Sequence, residues 1–138
     1  MLLTGTHPRT LDDKKRLTLP KRTREQIGEA LQLFVTPGPE QSLWIYTKDE
    51  LERVSAKLDE TSGTDRDARA SRLIFFAQME TVDLDRSGRI LIPDRLVQVA
   101  KLQHEVVLLG VRDHLELWDA QRWQAYLNKH GPQFDKLM

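Results

Sequence analysis

Two short stretches of the sequence place acids and bases at the same spacing. LDDKKRLTLP spans Leu11–Pro20 and LDRSGRILIP spans Leu84–Pro93. Both carry the pattern Asp-x-x-x-Arg, as Asp12 to Arg16 and Asp85 to Arg89, followed by alternating apolar residues and a proline. An aspartate at such a spacing can accept backbone N–H groups and close a tight turn. The bases beside it then stand out from the chain, where lysine or arginine can neutralise phosphate or pair with guanine O6 and N7. The same residues also suit an ordinary solvated turn, as most charged loops are. Asp12, Asp13, Asp83 and Asp85 could alternatively gather as a carboxylate cluster, for which turn chemistry is the simpler account.

The charge count separates the two copies. The protein has 138 residues, 21 of them basic and 21 acidic, so the whole chain is neutral. Between Arg9 and Arg24 seven basic residues face only Asp12 and Asp13, an excess of +5. Between Val82 and Arg95 three arginines meet three aspartates. Overall neutrality counts against a nucleic-acid binder, whereas the local excess counts for one. Lys14, Lys15 and Arg16 are consecutive, with Arg22 and Arg24 close behind. A two-stranded ribbon carrying such bases fits the DNA major groove. The residues alone leave the solvated turn and the DNA-reading ribbon both open.

Other chemistries find less support. His7, His104, His114 and His130 lack metal-ligand spacing, and the chain has no cysteine. No metal, cofactor or disulfide is expected. Nucleophile-elbow, P-loop and dinucleotide-binding glycine patterns are absent, so an enzyme is not expected. The N-terminal residues show no export signal, and no apolar run approaches membrane-spanning length. A cytoplasmic protein without a membrane or small-molecule partner is the expectation.

The elements that position the paired stretches can be read from periodicity. The copies lie 73 residues apart, and each is succeeded by the same order of elements: a helical stretch, an apolar run, a second apolar run, a helix. Val82 and Leu84, then Ile90 and Ile92, alternate as half-buried strands, with Asp85–Gly88 as a tight hairpin connection. Leu17 and Leu19 match Ile90 and Ile92. Pro20 and Pro93 open helices; Gly28 ends the first, and the second runs to Leu102. Further strands are expected at Leu33–Thr36, Leu43–Thr47, Glu105–Val111 and Leu115–Trp118. Thr47 and Glu50 form a capping box, with Leu51, Val54 and Leu58 on the apolar face of the helix that begins there. Asp119 caps a last helix with Trp123, Tyr126 and Leu127 on one face. Asp59–Ala68 reads as a linker and Arg69–Met79 as a helix. Trp44, Tyr46, Trp118, Trp123 and the Phe75–Phe76 pair read as packing residues rather than base-stacking ones. The chain thus divides into a first repeat (1–58), a linker with connecting helix (59–80) and a second repeat (81–138), forming one compact unit that is mainly β with flanking helices.

LDDKKRLTLPKRTRE, LDRSGRILIPDRL and LELWDAQRW together resemble the MraZ family of bacterial transcriptional regulators, over essentially the whole chain. They are similar, more distantly, to AbrB and MazE swapped-hairpin (SpoVT-AbrB) DNA-binding proteins. The resemblance implies a pseudo-symmetric double-split (swapped-hairpin) β-barrel built from two internal repeats in one chain. It implies a nucleoid-associated regulator that binds short direct repeats in double-stranded DNA upstream of the division and cell-wall gene cluster. It also implies a ring-shaped homo-oligomer such as an octamer. The family's DNA contacts map onto Lys14 and Arg16 in the first copy and Arg86 and Arg89 in the second. Lys15 and Arg22 join them here by charge and position. Asp12, Asp85 and Gly88 are expected to order the turns. Lys15 stands where the family's first motif usually has glycine, so its turn either pays for a left-handed lysine or changes shape. The alternative that the resemblance carries is a MazE-like antidote that binds and neutralises a toxin protein.

Overall fold

The computed structural model, which describes residues 1–62 and 66–137, has eight strands and five α-helices, the strands coming in consecutive pairs. The strands are β1 (Thr6–Thr10), β2 (Arg16–Thr18), β3 (Gln32–Gly38), β4 (Ser42–Tyr46), β5 (Glu80–Asp83), β6 (Arg89–Leu91), β7 (Glu105–Val111) and β8 (His114–Asp119). The helices are α1 (Lys21–Ile27), α2 (Lys48–Ser62), α3 (Arg66–Ala77), α4 (Asp94–Val99) and α5 (Ala120–Leu137).

Six strands form one antiparallel sheet in the order β1-β7-β8-β4-β3-β5, and β2 pairs only with β6. Each half therefore gives its first strand to the other: β1 lies against β7, and β5 lies against β3. The registers obey the offset read from the sequence. Thr10 faces Glu105 just as Asp83 faces Gln32. In the ribbon Leu17 faces its own counterpart Ile90, flanked by Arg16 opposite Leu91 and Thr18 opposite Arg89. A pseudo-two-fold axis thus passes between Leu17 and Ile90. At the centre of the sheet it passes between Trp44 and Glu116.

Period-two alternation explains the layering. Leu33, Val35, Leu43, Ile45, Val106, Leu108, Leu115 and Leu117 point from the sheet into one core, where Leu17, Leu19, Ile90 and Ile92 meet them. Ile27 of α1 and Leu96 and Val97 of α4 complete it. On the opposite face Val107, Leu109 and Trp118 are covered by Trp123 and Tyr126 of α5. Phase along α5 places Trp123 and Tyr126 on the sheet but leaves Leu127 exposed, contrary to expectation. Tyr46 meets the edge of Phe75 from α3 at 6.0 Å, while Phe76 packs edge-on against Phe75 and stays 38% exposed. The packing reading of the aromatics holds for Trp118, Tyr46 and Phe75.

The N-caps form where the sequence indicates, though the Glu50 carboxylate accepts Arg53 and does not complete the box at Thr47. The Glu50 N–H donates to Thr47 Oγ1 (3.3 Å) at the start of α2, and the Arg122 N–H to Asp119 Oδ2 (3.3 Å) at the start of α5. Four expectations are corrected. First, the ladders do not close into a barrel: β1 and β5 end an open sheet, because β2 and β6 hydrogen-bond to each other and not to its edges. Second, the turn at Asp85 forms, but β5 and β6 then diverge to partners in the other half, so no hairpin ladder extends from it. Third, helix is more extensive than a mainly β reading allows. α2 runs through Ser62 and α3 begins at Arg66, so the expected Asp59–Ala68 linker is helical wherever it is described; residues 63–65 lie outside the described residues. Fourth, α4 stops at Val99, since Lys101 takes a left-handed backbone (φ 53°) that ends the helix before Leu102.

Leu17 is fully buried at the crossing of the two halves. Leu17→Ala is expected to cost about 2 to 5 kcal/mol of stability, measured by urea unfolding; a loss below about 1 kcal/mol would show that the ribbon is peripheral to the core.

Candidate nucleic-acid interface

The two turns are built alike, atom for atom. Asp12 Oδ1 accepts the N–H groups of Lys14 (2.9 Å) and Arg16 (2.8 Å), and Asp12 Oδ2 accepts Arg16 Nε–H (2.6 Å). Asp85 Oδ1 accepts the N–H groups of Ser87 and Arg89 (2.9 Å each), and Asp85 Oδ2 accepts Arg89 Nε–H (3.0 Å). Backbone bonds close both loops: Asp12 N–H to Arg16 O and Lys15 N–H to Asp12 O, matched by Asp85 N–H to Arg89 O and Gly88 N–H to Asp85 O. The four-residue spacing is what lets one carboxylate hold both the backbone and the guanidinium of its arginine.

Lys15 answers the question raised by the missing glycine. Its φ is 65°, beside 78° at Gly88, so the first turn keeps the shape of the second. Each turn is also tied to the opposite half. The Leu19 N–H donates to Gly88 O (2.8 Å) and the Ile92 N–H to Lys15 O (2.9 Å). The pseudo-symmetry therefore extends to the contacts that seat the turns on the strand–helix junctions.

The ribbon turns Leu17 and Ile90 inward, so Arg16, Thr18, Arg89 and Leu91 share its outer face. The side chains of Arg16 and Arg89 are equally exposed, at 32%. Only Nε of each bonds the aspartate, so the two terminal amino groups of the guanidinium take no part in the clamp. Two parallel N–H donors are what guanine O6 and N7, or two phosphate oxygens, accept. Lys14, Lys15, Arg22 and Arg86 are exposed around this face.

The carboxylates are held in their charged form. The Arg16 backbone N–H, with its guanidinium and the Lys14 N–H, lowers the pKa of Asp12 below the ordinary 3.8 against a smaller desolvation effect. For Asp85 the Arg89 backbone N–H leads, helped by the Arg89 side chain and the Ser87 N–H. Asp13 and Asp83 do not join them in a cluster at either turn; Asp83 accepts Gln32 Nε2–H from the neighbouring strand (3.2 Å). Among the described residues no group of three or more His, Cys, Asp or Glu is placed to hold a metal ion. A cavity of about 1030 Å³ lies between the end of α1 and the start of α2, lined by Ile27, Leu31, Asp49 and Arg53, and reaches Asp83 and Leu84 just before the second turn.

Two basic residues counted in the local charge excess were not assigned to the turns by the sequence reading. Arg9, on the unrecognised strand β1, donates through Nε to Thr18 O (3.2 Å), bracing β2 from the side. Arg24 of α1 lies over Gly88 in the other half's turn. Neither position is signalled by spacing, since both contacts join residues from different elements.

On the outer face of the sheet, remote from the turns, His114 stacks on Trp44 (centroids 4.2 Å apart) and bonds through Nε2 to Glu116 Oε2 (2.9 Å). Trp118 Nε1–H donates to the other oxygen of Glu116 (3.0 Å). Burial pushes the Tyr46 phenol up to about 12, with Glu116 and Asp113 adding to the shift. This cluster belongs to the packing of α3 and α5, not to the ribbon.

An internally duplicated chain that interlocks its halves and presents two matched Asp-x-x-x-Arg turns on a two-stranded ribbon defines a class of single-chain, pseudo-two-fold proteins. The family model described as "MraZ protein, putative antitoxin-like" matches residues 2–73 and 75–136. The chain belongs to the MraZ family. It is 35% identical over 133 residues to a protein of Heliobacterium modesticaldum named transcriptional regulator MraZ, covering 96% of this chain and 92% of the relative. The proteins of the same name from Moorella thermoacetica (36% over 133 residues; 96% and 92%) and Saccharopolyspora erythraea (39% over 126 residues; 91% and 87%) are similar throughout as well.

The turns generate two expected outcomes. Lys15→Gly relieves the left-handed lysine at the expense of a more flexible unfolded chain, for a net gain of about 0.5 to 1 kcal/mol; thermal unfolding that shows a loss would mean that the lysine side chain stabilises the turn. The lowered pKa values of Asp12 and Asp85 mean that their turn bonds favour the fold fully above the unfolded value of 3.8, and that this support is lost as pH falls through the lower folded values. Carboxyl NMR titration is expected to give both midpoints below 3.8; a midpoint at or above it would contradict the bonding described.

Proposed function

We propose that the chain is a sequence-specific DNA-binding transcriptional regulator that uses the β2–β6 ribbon and its two turns to read short direct repeats in double-stranded DNA. The observation that carries the reading is the repeated clamp in which one aspartate fixes a part-exposed arginine through its Nε, leaving the terminal amino groups out of the bond. Bases beside the clamp, Lys14, Lys15, Arg22 and Arg86, supply phosphate contacts that set position; Arg16 and Arg89 read guanine edges. The name of the relatives supports regulation of transcription. In this reading the target repeats lie upstream of the division and cell-wall gene cluster, and the protein works in the cytoplasm on the nucleoid.

A neutral protomer with one small basic face binds phosphate weakly. The proposal therefore includes a ring-shaped homo-oligomer, such as an octamer, that engages several repeats at once and makes later contacts intramolecular. Leu73, Ile74 and Phe76 on α3, with Phe134 and Leu137 on α5, leave apolar surface exposed for contacts between protomers. No catalytic role is proposed. Among the described residues no helix is long and apolar enough to cross a membrane.

The wording of the family description favours a second reading, a MazE-like antidote that neutralises a toxin protein. The doubled clamp argues for the first reading, because both copies keep the arginine geometry that DNA edges require.

Gel-shift titration tests the proposal. The protein is expected to bind three tandem repeats far more tightly than one, and Arg16→Ala to abolish repeat-specific binding while light scattering shows the oligomer intact. Unchanged affinity of Arg16→Ala would remove the assignment. Equal affinity for one and three repeats would remove the avidity.

A further inference from the structure

Gly88 is buried and left-handed, and it has a neighbour that explains why it carries no side chain. A Cβ at Gly88 would lie 2.6 Å from Cζ and Nε of Arg24 and 2.7 Å from its Cδ. The guanidinium end of Arg24, from α1 of the first half, therefore rests on the backbone of the second half's turn. Arg24 is exposed, and among the described residues no carboxylate pairs with it.

The symmetry-related pair solves the same problem in reverse. By the 73-residue offset Gly88 corresponds to Lys15, and Arg24 corresponds to Val97. The first turn carries its cation at the left-handed corner, and the position of the facing helix that corresponds to Arg24 holds a compact, buried valine. The second turn has no side chain at that corner and receives a guanidinium from the facing helix. Each turn ends with three cations: Lys14, Lys15 and Arg16 at the first; Arg86, Arg89 and, from the other half, Arg24 at the second. The fold moves to the second turn part of the positive charge that the sequence places in the first half.

We propose that Arg24 is a DNA-phosphate contact of the second turn, and that Gly88 is the positioning residue that seats it. The inference rests on the DNA-binding reading above. A lysine or arginine contact of this kind is independent of base sequence and sensitive to salt.

The experiment is fluorescence anisotropy with tandem-repeat DNA and a scrambled duplex, over a series of salt concentrations, on the full chain. Arg24→Ala is expected to weaken binding to both duplexes by about fivefold per engaged protomer near 0.15 M salt, and to lower the salt slope by about one per engaged protomer. Gly88→Ala is expected to do the same with Arg24 still present. In the Arg24→Ala background, Gly88→Ala is expected to have no further effect on affinity, because the group it displaces is gone. Circular dichroism and unfolding of each variant check that the fold persists, and the double-mutant comparison removes the effect of turn strain.

Additive losses would overturn the seating role of Gly88. Loss confined to the repeat duplex would overturn the phosphate assignment of Arg24. Arg24→Ala with unchanged affinity and salt slope, beside an Arg16→Ala that no longer binds the repeat, would overturn this inference and leave the DNA-binding reading standing. Unchanged binding in both variants would overturn both.

Discussion

Leu17 against Ile90 is the contact on which the rest of the molecule turns. Both are fully buried, and they are counterparts facing each other across the ribbon. Their burial against Leu43, Ile45, Leu115 and Leu117 fixes which side of the ribbon faces inward, and so which side carries Arg16 and Arg89. A strand shifted by one residue would bury the arginines and expose the leucine and isoleucine. The hydrophobic register thereby sets the electrostatic face. The paired bonds of Leu19 to Gly88 and Ile92 to Lys15 then hold each turn at the junction made by the other half.

The aspartate clamp works on a smaller scale and by a different force. One carboxylate accepts two backbone N–H groups and one side-chain N–H, and those donors keep it ionised. The arginine loses freedom at Nε while its outer donors stay available. The left-handed corner is shared by Lys15 and Gly88, whose different chemistry is matched by Val97 and Arg24 on the facing helices. At the two turns the symmetry is thus kept in the backbone and given up in the side chains. The same holds at the other crossing of the axis, where Trp44 faces Glu116 and the polar partner serves His114 and Trp118.

Much of this was legible in the residues. Short apolar runs marked β3, β4, β7 and β8, because those strands face the core on one side and, in β7 and β8, lie under α5 on the other. Thr47 and Asp119 announced the helices they cap. The repeated spacing announced two equal turns. What escaped was of another physical kind. Thr6–Thr10 has no apolar alternation and contains Pro8, as an edge strand tolerates. Periodicity shows which way a strand faces but not what it pairs with, so the exchange of β1 and β5 between halves had no signature in the residues and was implied only by the swapped-hairpin resemblance. The polar run after Leu58 looked like a linker because polar composition alone does not separate a helix from a loop. Arg24 gave no sign that it belonged to a turn 64 residues away.

The exchange of first strands bears on how the molecule is made. A chain emerging from the ribosome presents β1 long before β7 exists, and β3 before β5. Until the second half emerges, the first half offers a bare strand edge and an apolar surface lacking Ile90 and Ile92. Such an intermediate has long loops to close and an exposed edge to guard. The interlocking that makes the finished protein a single unit therefore leaves its nascent form unable to complete either half until the last strands have been synthesised.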